Sequence, residues 1–216
     1  MKKLLKVTLS LLCALAMTGC GSKENENDTN SKKEDTKTVE KEEKTSKSKY
    51  FDNFDKEVKL KSAVYSIFVP KNAYSYDNMG TNLFEIEDND ENTINVMLLS
   101  GSVYGEKAND IKSDEIDGLL SEGKKYAMNS MYNTSFYNLK VESSKTEELQ
   151  NYNGICKYGQ LDIDGKLINC MEFSFILSNQ EEEKDLCEII VCSDDYEEKD
   201  LKNIAEELIS QIHETE

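Results

Sequence analysis

The second half of the chain is a series of apolar runs separated by turn residues, and this pattern constrains the fold more than any other feature. The runs lie at 139–149, 155–162, 167–177 and 186–192. Asp164-Gly165 separates the second run from the third, and an Asp-Gly pair between apolar runs is a strong signal of a tight β-hairpin. A turn is also predicted at Asn151-Tyr152-Asn153-Gly154. The pattern therefore predicts an antiparallel meander.

The third run predicts a central strand, because it is apolar on both faces. One face carries Leu167, Met171, Phe173, Phe175 and Leu177, and the other carries Ile168, Cys170 and Ile176. Successive side chains of a strand point to opposite faces, so a strand of this kind is covered on both sides. We therefore expect a helix against each face of the sheet.

The first half of the chain adds three predicted strands and one helix. The strands are 64–69, ending at the single proline, 82–86 and 93–99. The helix is predicted to begin at Ser113, which would cap it, with Asp114 and Glu115 in the first turn. Its apolar residues recur at helical spacing: Ile116, Leu119, Leu120, Gly123, Ala127 and Met131.

A closing helix follows the last apolar run. Its predicted buried residues are Leu201, Ile204, Ala205, Leu208, Ile209 and Ile212. Asp195 and Glu198 stand at capping-box spacing, and His213 lies at the predicted end, where a protonated imidazole would complement the helix dipole. The predicted fold class is α+β, with an antiparallel β-sheet of about six strands flanked by helices on both faces.

The amino terminus has the layout of an export signal. Lys2, Lys3 and Lys6 precede an apolar stretch at 7–17, which is shorter than the roughly 20 residues that a membrane-spanning helix needs. The sequence Met17-Thr18-Gly19-Cys20 resembles the lipobox of bacterial lipoproteins, although that family usually has Leu at the Met17 position. The resemblance implies cleavage before Cys20 and lipidation of Cys20, with diacylglyceryl on its thiol. An ordinary secretory signal is the alternative.

The segment that follows predicts a flexible tether. Residues 21–49 contain one aliphatic residue, Val39, and equal numbers of lysines and acids. Such a segment buries too little apolar surface to offset its ordering entropy. The predicted organisation is a signal peptide at 1–19, a lipid-anchored disordered tether at 20–49 and one globular domain at 50–216.

Charge narrows the range of partners. The formal net charge is -17, no arginine occurs in the chain, and the tether is neutral, so the negative charge lies in the folded part. An acidic domain repels the phosphates of nucleic acid, and we predict no nucleic-acid partner. A cation, a basic peptide or a polyamine remains open, and so does acidity that serves solubility alone.

Motifs for catalysis and metal binding are weak. His213 is the single histidine and lies near the chain end, which is unfavourable for a hydrolytic triad, and no catalytic residue is predicted. Asp88, Asp90 and Asn92 match the first ligand positions of a calcium loop, but Thr93 replaces the required glycine. We interpret this segment as a turn, with weak calcium binding as the alternative, and predict neither a metal site nor a cofactor.

Four cysteines remain after the signal and the anchor: Cys156, Cys170, Cys187 and Cys192. A hairpin centred on the acidic loop near 181 places Cys170 opposite Cys192, and the Asp164-Gly165 turn places Cys156 opposite Phe173. The candidate disulfide is therefore Cys170–Cys192, with the other two cysteines reduced and buried. Four free thiols are a second interpretation, and a zinc site ranks below both because no Cys-x2-Cys pair occurs.

The domain resembles the PsbP-like family, which shares its fold with the Ran-binding Mog proteins. The resemblance rests on residues 64–70, on Tyr152-Asn153-Gly154 before a hairpin, and on the strand-to-terminal-helix ending at 190–212. It covers roughly residues 50–216. It implies an antiparallel sheet between helices, and a role in binding or scaffolding.

These patterns predict a lipoprotein on the extracytoplasmic face of the cell membrane, held there through its lipid anchor. Its domain is expected to be a non-catalytic binding or scaffolding module for a protein or small molecule. Two alternatives stay open: a cation- or small-molecule-sensing accessory lipoprotein, and an enzyme that uses carboxylates or cysteines.

Overall fold

Ten strands and four α-helices make up the computed structural model, which describes residues 48–60, 64–78, 81–134, 137–180 and 183–215. The strands are β1 (Phe54–Lys59), β2 (Tyr65–Pro70), β3 (Tyr74–Asn78), β4 (Thr81–Glu87), β5 (Thr93–Tyr104), β6 (Tyr137–Leu149), β7 (Tyr152–Ile163), β8 (Lys166–Gln180), β9 (Glu183–Ser193) and β10 (Ile212–Glu214). The helices are α1 (Glu106–Asp110), α2 (Ile116–Leu119), α3 (Ser121–Tyr132) and α4 (Glu198–Ile209). The predicted signal peptide, Cys20 and nearly all of the predicted tether lie outside the described residues.

All strand pairs are antiparallel, and they form two sheets. The larger sheet has seven strands in the order β3-β4-β5-β9-β8-β7-β6, and the smaller has three in the order β1-β2-β10. The predicted mixed α/β architecture with an antiparallel sheet is confirmed. Strands β1, β3 and β10 were not predicted, because they are short and their sequences are polar.

The residues of strand β8 belong to two core clusters. On β8, Met171, Phe173 and Phe175 belong to a core cluster that also contains the buried residues of α4. Cys170 belongs to a second cluster that contains Ala127 and Met128 of α3. This alternation follows from the two-residue period of a strand.

The hairpin turns differ in how well the sequence predicted them. Asp164 and Gly165 both have positive φ (51° and 88°), as the two central residues of a type I′ turn require, and they join β7 to β8 as predicted. The turn between β6 and β7 lies at Gln150 and Asn151 (φ 49° and 69°). Gly154 therefore lies in β7, and its prediction as a turn residue was wrong.

The helix predicted from Ser113 is interrupted. A 3-10 turn spans Ser113–Glu115, and α2 and α3 follow as separate helices. The N-cap of the 3-10 turn is Lys112, whose backbone N–H donates to Glu115 Oε2 at 3.0 Å. Leu119, predicted to be buried, is 52% exposed.

The closing helix begins later than predicted. Its N-cap is Glu197, and no side chain caps it, so the proposed Asp195–Glu198 capping box was wrong. His213 does not end this helix but lies in β10, where it stacks on Phe68 with ring centroids 4.5 Å apart. The chain leaves the helix at Ser210 because β10 pairs with β2.

Candidate functional site

Five charged side chains meet beneath α2 and α3, on the face of the larger sheet to which Cys170 belongs. We call them the Lys124 cluster: Asp117 on α2, Lys124 on α3, Lys157 on β7, Glu172 on β8 and Glu188 on β9. Glu188 is fully buried, and Lys124 and Glu172 are 5% and 3% exposed. Charged side chains at this depth are rare unless they are paired.

Lys124 lies at the centre of the cluster. Its Nζ is 2.5 Å from Asp117 Oδ1, 3.1 Å from Glu172 Oε1 and 3.0 Å from Glu188 Oε1. Lys157 Nζ approaches from β7, at 2.6 Å from Asp117 Oδ2 and 4.0 Å from Glu172 Oε2. Two ammonium groups thus face three carboxylates.

Glu188 has the least complete set of partners. Its Oε1 accepts a hydrogen bond from Ser174 Oγ at 3.1 Å as well as the contact with Lys124. Its Oε2 is buried and has no hydrogen-bond partner among the described residues. A buried carboxylate with one unsatisfied oxygen is costly to ionise.

The pKa values follow from burial and from these neighbours. Burial raises the pKa of Glu188 to about 7, although Lys124 opposes the rise. Burial alone would lower the pKa of Lys124, but the charges of Glu188, Glu172 and Asp117 outweigh burial and raise that pKa. Burial would likewise raise the pKa of Asp117, but hydrogen bonds from Lys124 and Lys157 outweigh it and lower that pKa. Lys124 and Asp117 are therefore both charged at neutral pH, whereas Glu188 titrates near it.

The spacing of the three carboxylates would also suit a hard cation. One oxygen from each of Asp117, Glu172 and Glu188 lies within 4.8 Å of the others. Lys124 Nζ, however, lies within 3.1 Å of all three residues, so a metal ion would have to displace a charged ammonium group. The cluster thus contains its own cation, and its geometry favours an internal ion-pair network.

We expect the stability of the protein to fall by about 3 kcal/mol as the pH rises from about 4.5 to about 7, because Glu188 binds its proton more tightly in the folded chain than in the unfolded chain. In this window the folded state holds more protons, so the free energy of unfolding decreases with pH. Carboxylates with a lowered pKa, such as Asp88 and Asp117, titrate at a pH below this window. There they make the free energy of unfolding increase with pH.

Urea unfolding at a series of pH values checks this expectation. Glu188→Gln should flatten the profile between these limits, because the amide does not titrate. Glu106→Gln, at an exposed carboxylate of α1, is the control and should retain the wild-type slope. An unchanged slope in Glu188→Gln would show that another group titrates.

Cys170 and Cys192 lie on the same face of the sheet, on the adjacent strands β8 and β9. The two residues are direct partners in the strand register, as predicted from a hairpin centred near residue 181. Their Sγ atoms are 3.1 Å apart, both residues are fully buried, and all four cysteines in the described residues are thiols in this structure. Tyr132 of α3 packs against the same cluster of residues.

Cys156 and Cys187 lie on the opposite face. Both belong to the core cluster that contains α4, and the register pairs Cys156 with Phe173 as predicted. Cys187 is paired with Phe175 on β8 and with Ser100 on β5. Burial raises the pKa of the Cys156 thiol to about 11 and that of Cys187 further, so both are protonated at neutral pH.

The Asp88 loop is a turn stabilised by its own hydrogen bonds. Asp88 Oδ1 accepts from the backbone N–H groups of Asp90 and Asn92, each at 2.9 Å. Asp88 Oδ2 accepts from the hydroxyl group of Tyr196. These donors occupy the oxygens that a calcium ion would need, which supports interpreting the segment as a turn.

An open cleft of about 770 Å³ lies beside this loop. Three segments form it: the residues just before β1, the turn between β2 and β3, and the end of β4 with the loop that follows it. Its lining residues are Phe51, Asp52, Asn53, Lys71, Asn72, Glu87, Asp88 and Asn89. The volume falls within the usual range for small-molecule sites, roughly 300–1,000 Å³. Amides and carboxylates dominate the lining, so a polar ligand would fit it better than an apolar one.

His213 lies apart from the Lys124 cluster and from the cleft. Its Nε2 is 3.3 Å from Glu57 Oε1, and its Nδ1 is 3.1 Å from the carbonyl oxygen of Gln211. These contacts tie β10 to β1 and to the end of α4. The side chain is thus held by structural contacts at the edge of the smaller sheet.

The sequence pattern did not predict the Lys124 cluster. One signal could have indicated it: Glu172 and Glu188 stand at inward-facing positions within the apolar runs of two central strands. A carboxylate at such a position needs a buried partner. The pattern does not reveal that the partner is Lys124, because Lys124 belongs to a helix more than forty residues earlier in the chain.

No protein-family model and no curated protein matches the chain. Among solved structures, cyanobacterial PsbP (CyanoP) from Synechocystis is similar at a TM-score of 0.44 and 9% identity, over 74% of this chain and 92% of that one. LpqN, involved in cell envelope biogenesis of Mycobacterium tuberculosis, has a TM-score of 0.43 and 14% identity, over 74% of this chain and 90% of that one. A protein from Bacteroides thetaiotaomicron has a TM-score of 0.42 and 14% identity, over 76% of this chain and 50% of its own length.

The chain thus spans about half the length of the Bacteroides protein that it matches. Likenesses of this size do not place the chain in a family. The class that its own structure defines is a mixed α/β protein built on antiparallel sheets. None of the helices in the described part of the chain has the length and apolarity needed to cross a bilayer.

Proposed function

We propose that the protein is a lipoprotein anchored through Cys20 to the extracytoplasmic face of the cell membrane, and that its domain is a non-catalytic binding or scaffolding module. The lipobox-like sequence and the polar segment at 21–49 support the anchor and the tether. In the same proposal the larger sheet is the middle layer of a PsbP-like α/β/α sandwich, with α3 and α4 on its two faces.

The cleft beside the Asp88 loop is the observation that carries the binding role. It is of ligand size and open, and three loops or strand ends form its lining. Loops on a rigid sheet are the usual location of binding residues. The Lys124 cluster, by contrast, is covered by α2 and α3, and its charges are paired with one another. A ligand therefore has direct access to the cleft.

The acidic lining favours a second candidate function, the sensing of a cation or a small cationic molecule. Asp52, Glu87 and Asp88 face a single lysine, Lys71, so the cleft has an excess of negative charge. A polyamine would complement both this charge and the amide groups around it. The two candidate functions use the same cleft. A binding module only holds its ligand, whereas a sensor also changes its structure or its interactions when the ligand binds.

One experiment with two readouts tests the proposal. In cells, the full-length protein should incorporate labelled palmitate and partition with the membrane fraction, and Cys20→Ser should do neither. In solution, the purified Cys20→Ser chain should melt at a higher temperature in the presence of spermidine, because a ligand that binds only the folded state stabilises it. Glu87→Lys should abolish this shift.

Each readout has its own control and its own failure. Glu106→Lys changes the net charge equally at an exposed helix position outside the cleft and should keep the spermidine shift. Equal loss in both variants would show that spermidine responds to net charge alone. Unchanged membrane association of Cys20→Ser would overturn the anchor without affecting the test of the cleft.

A further inference from the structure

We propose that Cys170 and Cys192 are a site of thiol–disulfide exchange, at which a disulfide forms between the central strands β8 and β9 beneath α3. Strand register, sulfur separation and the arrangement of the other cysteines support this assignment. It does not depend on the ligand of the cleft, and its failure would leave the proposed binding role untouched.

The backbone already has the geometry of a disulfide. Cys170 and Cys192 are directly opposite each other in an antiparallel pair, where the Cα atoms lie roughly 4.5–5.5 Å apart. Disulfides span Cα separations of about 4.4–6.8 Å. The Sγ atoms are already 3.1 Å apart, so bond formation needs only small side-chain rotations.

The sheet itself excludes the other pairings. Cys156 and Cys187 belong to the core cluster on the α4 face, whereas Cys170 and Cys192 belong to the cluster on the α3 face. A side chain on one face cannot reach a sulfur on the other without a change of strand register. Cys156 and Cys187 are also separated by β8, because each is paired with a phenylalanine of that strand.

A cavity provides an approach to the pair. It measures about 430 Å³ and is lined by Asn95, Tyr132, Ile168 and Ser193, among others. Asn95 is the register partner of Cys192 on β5, and Ser193 is its neighbour on β9. Tyr132 lines the cavity and packs against the cluster that contains both thiols, and its buried hydroxyl group lies beside Cys192 and Asn95. Displacement of this side chain would expose the sulfurs.

The reaction partner is a small disulfide or the disulfide of an oxidoreductase. The thiolate of one cysteine attacks a sulfur of the partner disulfide, forms a mixed disulfide and releases the first partner thiol. The thiolate of the second cysteine then attacks the protein sulfur of the mixed disulfide and releases the second partner thiol. The protein loses two hydrogen atoms and is oxidised, and the partner gains two and is reduced.

The folded environment makes this exchange slow. The adjoining Cys192 sulfur and burial raise the pKa of Cys170, which keeps its thiolate scarce. Exchange should therefore be fast before α3 packs onto the sheet and slow afterwards. Tyr132→Ala should accelerate oxidation of the folded, reduced protein by oxidised glutathione at least tenfold.

Peptide mapping of the exported, full-length protein tests the proposal. Free thiols are alkylated in denaturant without reductant, and the chain is cut after lysine. Peptide 167–184, which contains Cys170, should be joined to peptide 185–199, which contains Cys187 and Cys192. Fragmentation should place the bond on Cys192 and an alkyl group on Cys187. Prior reduction should leave all four cysteines alkylated.

Two variants complete the test. Cys156→Ser should keep the linked peptides, and Cys192→Ser should lose them. The mapping of the wild-type chain stands even if Cys192→Ser does not fold. The proposal is overturned if all four cysteines are alkylated without reductant both in the exported protein and after treatment with oxidised glutathione, or if the bond includes Cys156 or Cys187.

Discussion

Replacement of Lys124 by methionine should lower the free energy of unfolding by about 3–5 kcal/mol, the cost of removing one partner from a buried ion pair. Methionine preserves the length and the apolar stem of the side chain but removes its charge. Glu172 and Glu188, which are nearly or fully buried, would then lose their closest cation. The measurement is urea unfolding at pH 7, with the slope of the transition checked against the wild type.

The adjacent lysine supplies the matched control. Lys125 is on the same helix and pairs with Glu122 at 2.8 Å, but both side chains are exposed. Lys125→Met should therefore change stability little, because surface ion pairs contribute little. Comparable losses in the two variants would show that α3 tolerates methionine poorly and that the Lys124 cluster is not the cause.

A compensating variant separates charge from packing. Adding Glu172→Gln and Glu188→Gln to Lys124→Met removes the two most deeply buried negative charges of the cluster. Most of the lost stability should return, because a neutral buried group costs less than an unpaired charge. No recovery would mean that the lysine stem, and not its charge, stabilises the helix.

Replacement of Gly154 by alanine should destabilise the protein by about 3 kcal/mol, at the upper end of what overpacking usually costs. A Cβ at this position would lie 2.4 Å from the carbonyl oxygen of Ser174 and 2.7 Å from Cζ of Phe173. Strand β8 is central and Phe173 is fully buried, so neither can move away without disturbing the core. Thermal or urea unfolding measures the loss.

Replacement of Gly123 on α3 by alanine should have the opposite effect on stability. A Cβ there would meet Thr81 Cγ2 at 3.8 Å and Leu99 Cδ2 at 4.0 Å, which are ordinary contacts. Gly123→Ala should therefore stabilise the protein by roughly 0.5–1 kcal/mol, the usual gain from replacing a helical glycine. If Gly154→Ala proved as stable as the wild type, β7 and β8 would have to separate more easily than the structure implies.

The meander between residues 137 and 193 shows how much the sequence could predict. Asp164-Gly165 determined the β7–β8 hairpin, and its register placed Cys156 opposite Phe173. The position of the acidic loop likewise placed Cys170 opposite Cys192. The first prediction succeeded because a short turn fixes the pairing of the strands on either side of it. In the second hairpin a register shift between Ile176 and Ser178 also contributes, since it places Cys192, and not Ser193, opposite Cys170.

Other elements could not be predicted in the same way. Strand β10 is three residues long and exists because β2 offers it an edge, so His213 lies in a strand although its position suggested a helix end. Gly154 appeared to be a turn residue, whereas close packing against β8 is what requires a glycine there. In each case a partner distant in sequence decided the outcome.

The sequence by itself determined the strands of the meander in the second half of the chain and the Asp164-Gly165 turn, because these depend on local turn geometry and on a two-residue repeat. Only the tertiary structure decided that Lys124 would neutralise Glu172 and Glu188, and that the turn between β2 and β3 would form a cleft with the Asp88 loop. Contacts of this kind join residues far apart in the chain. They depend on how a helix or loop packs against the completed sheet, which no short stretch of sequence encodes.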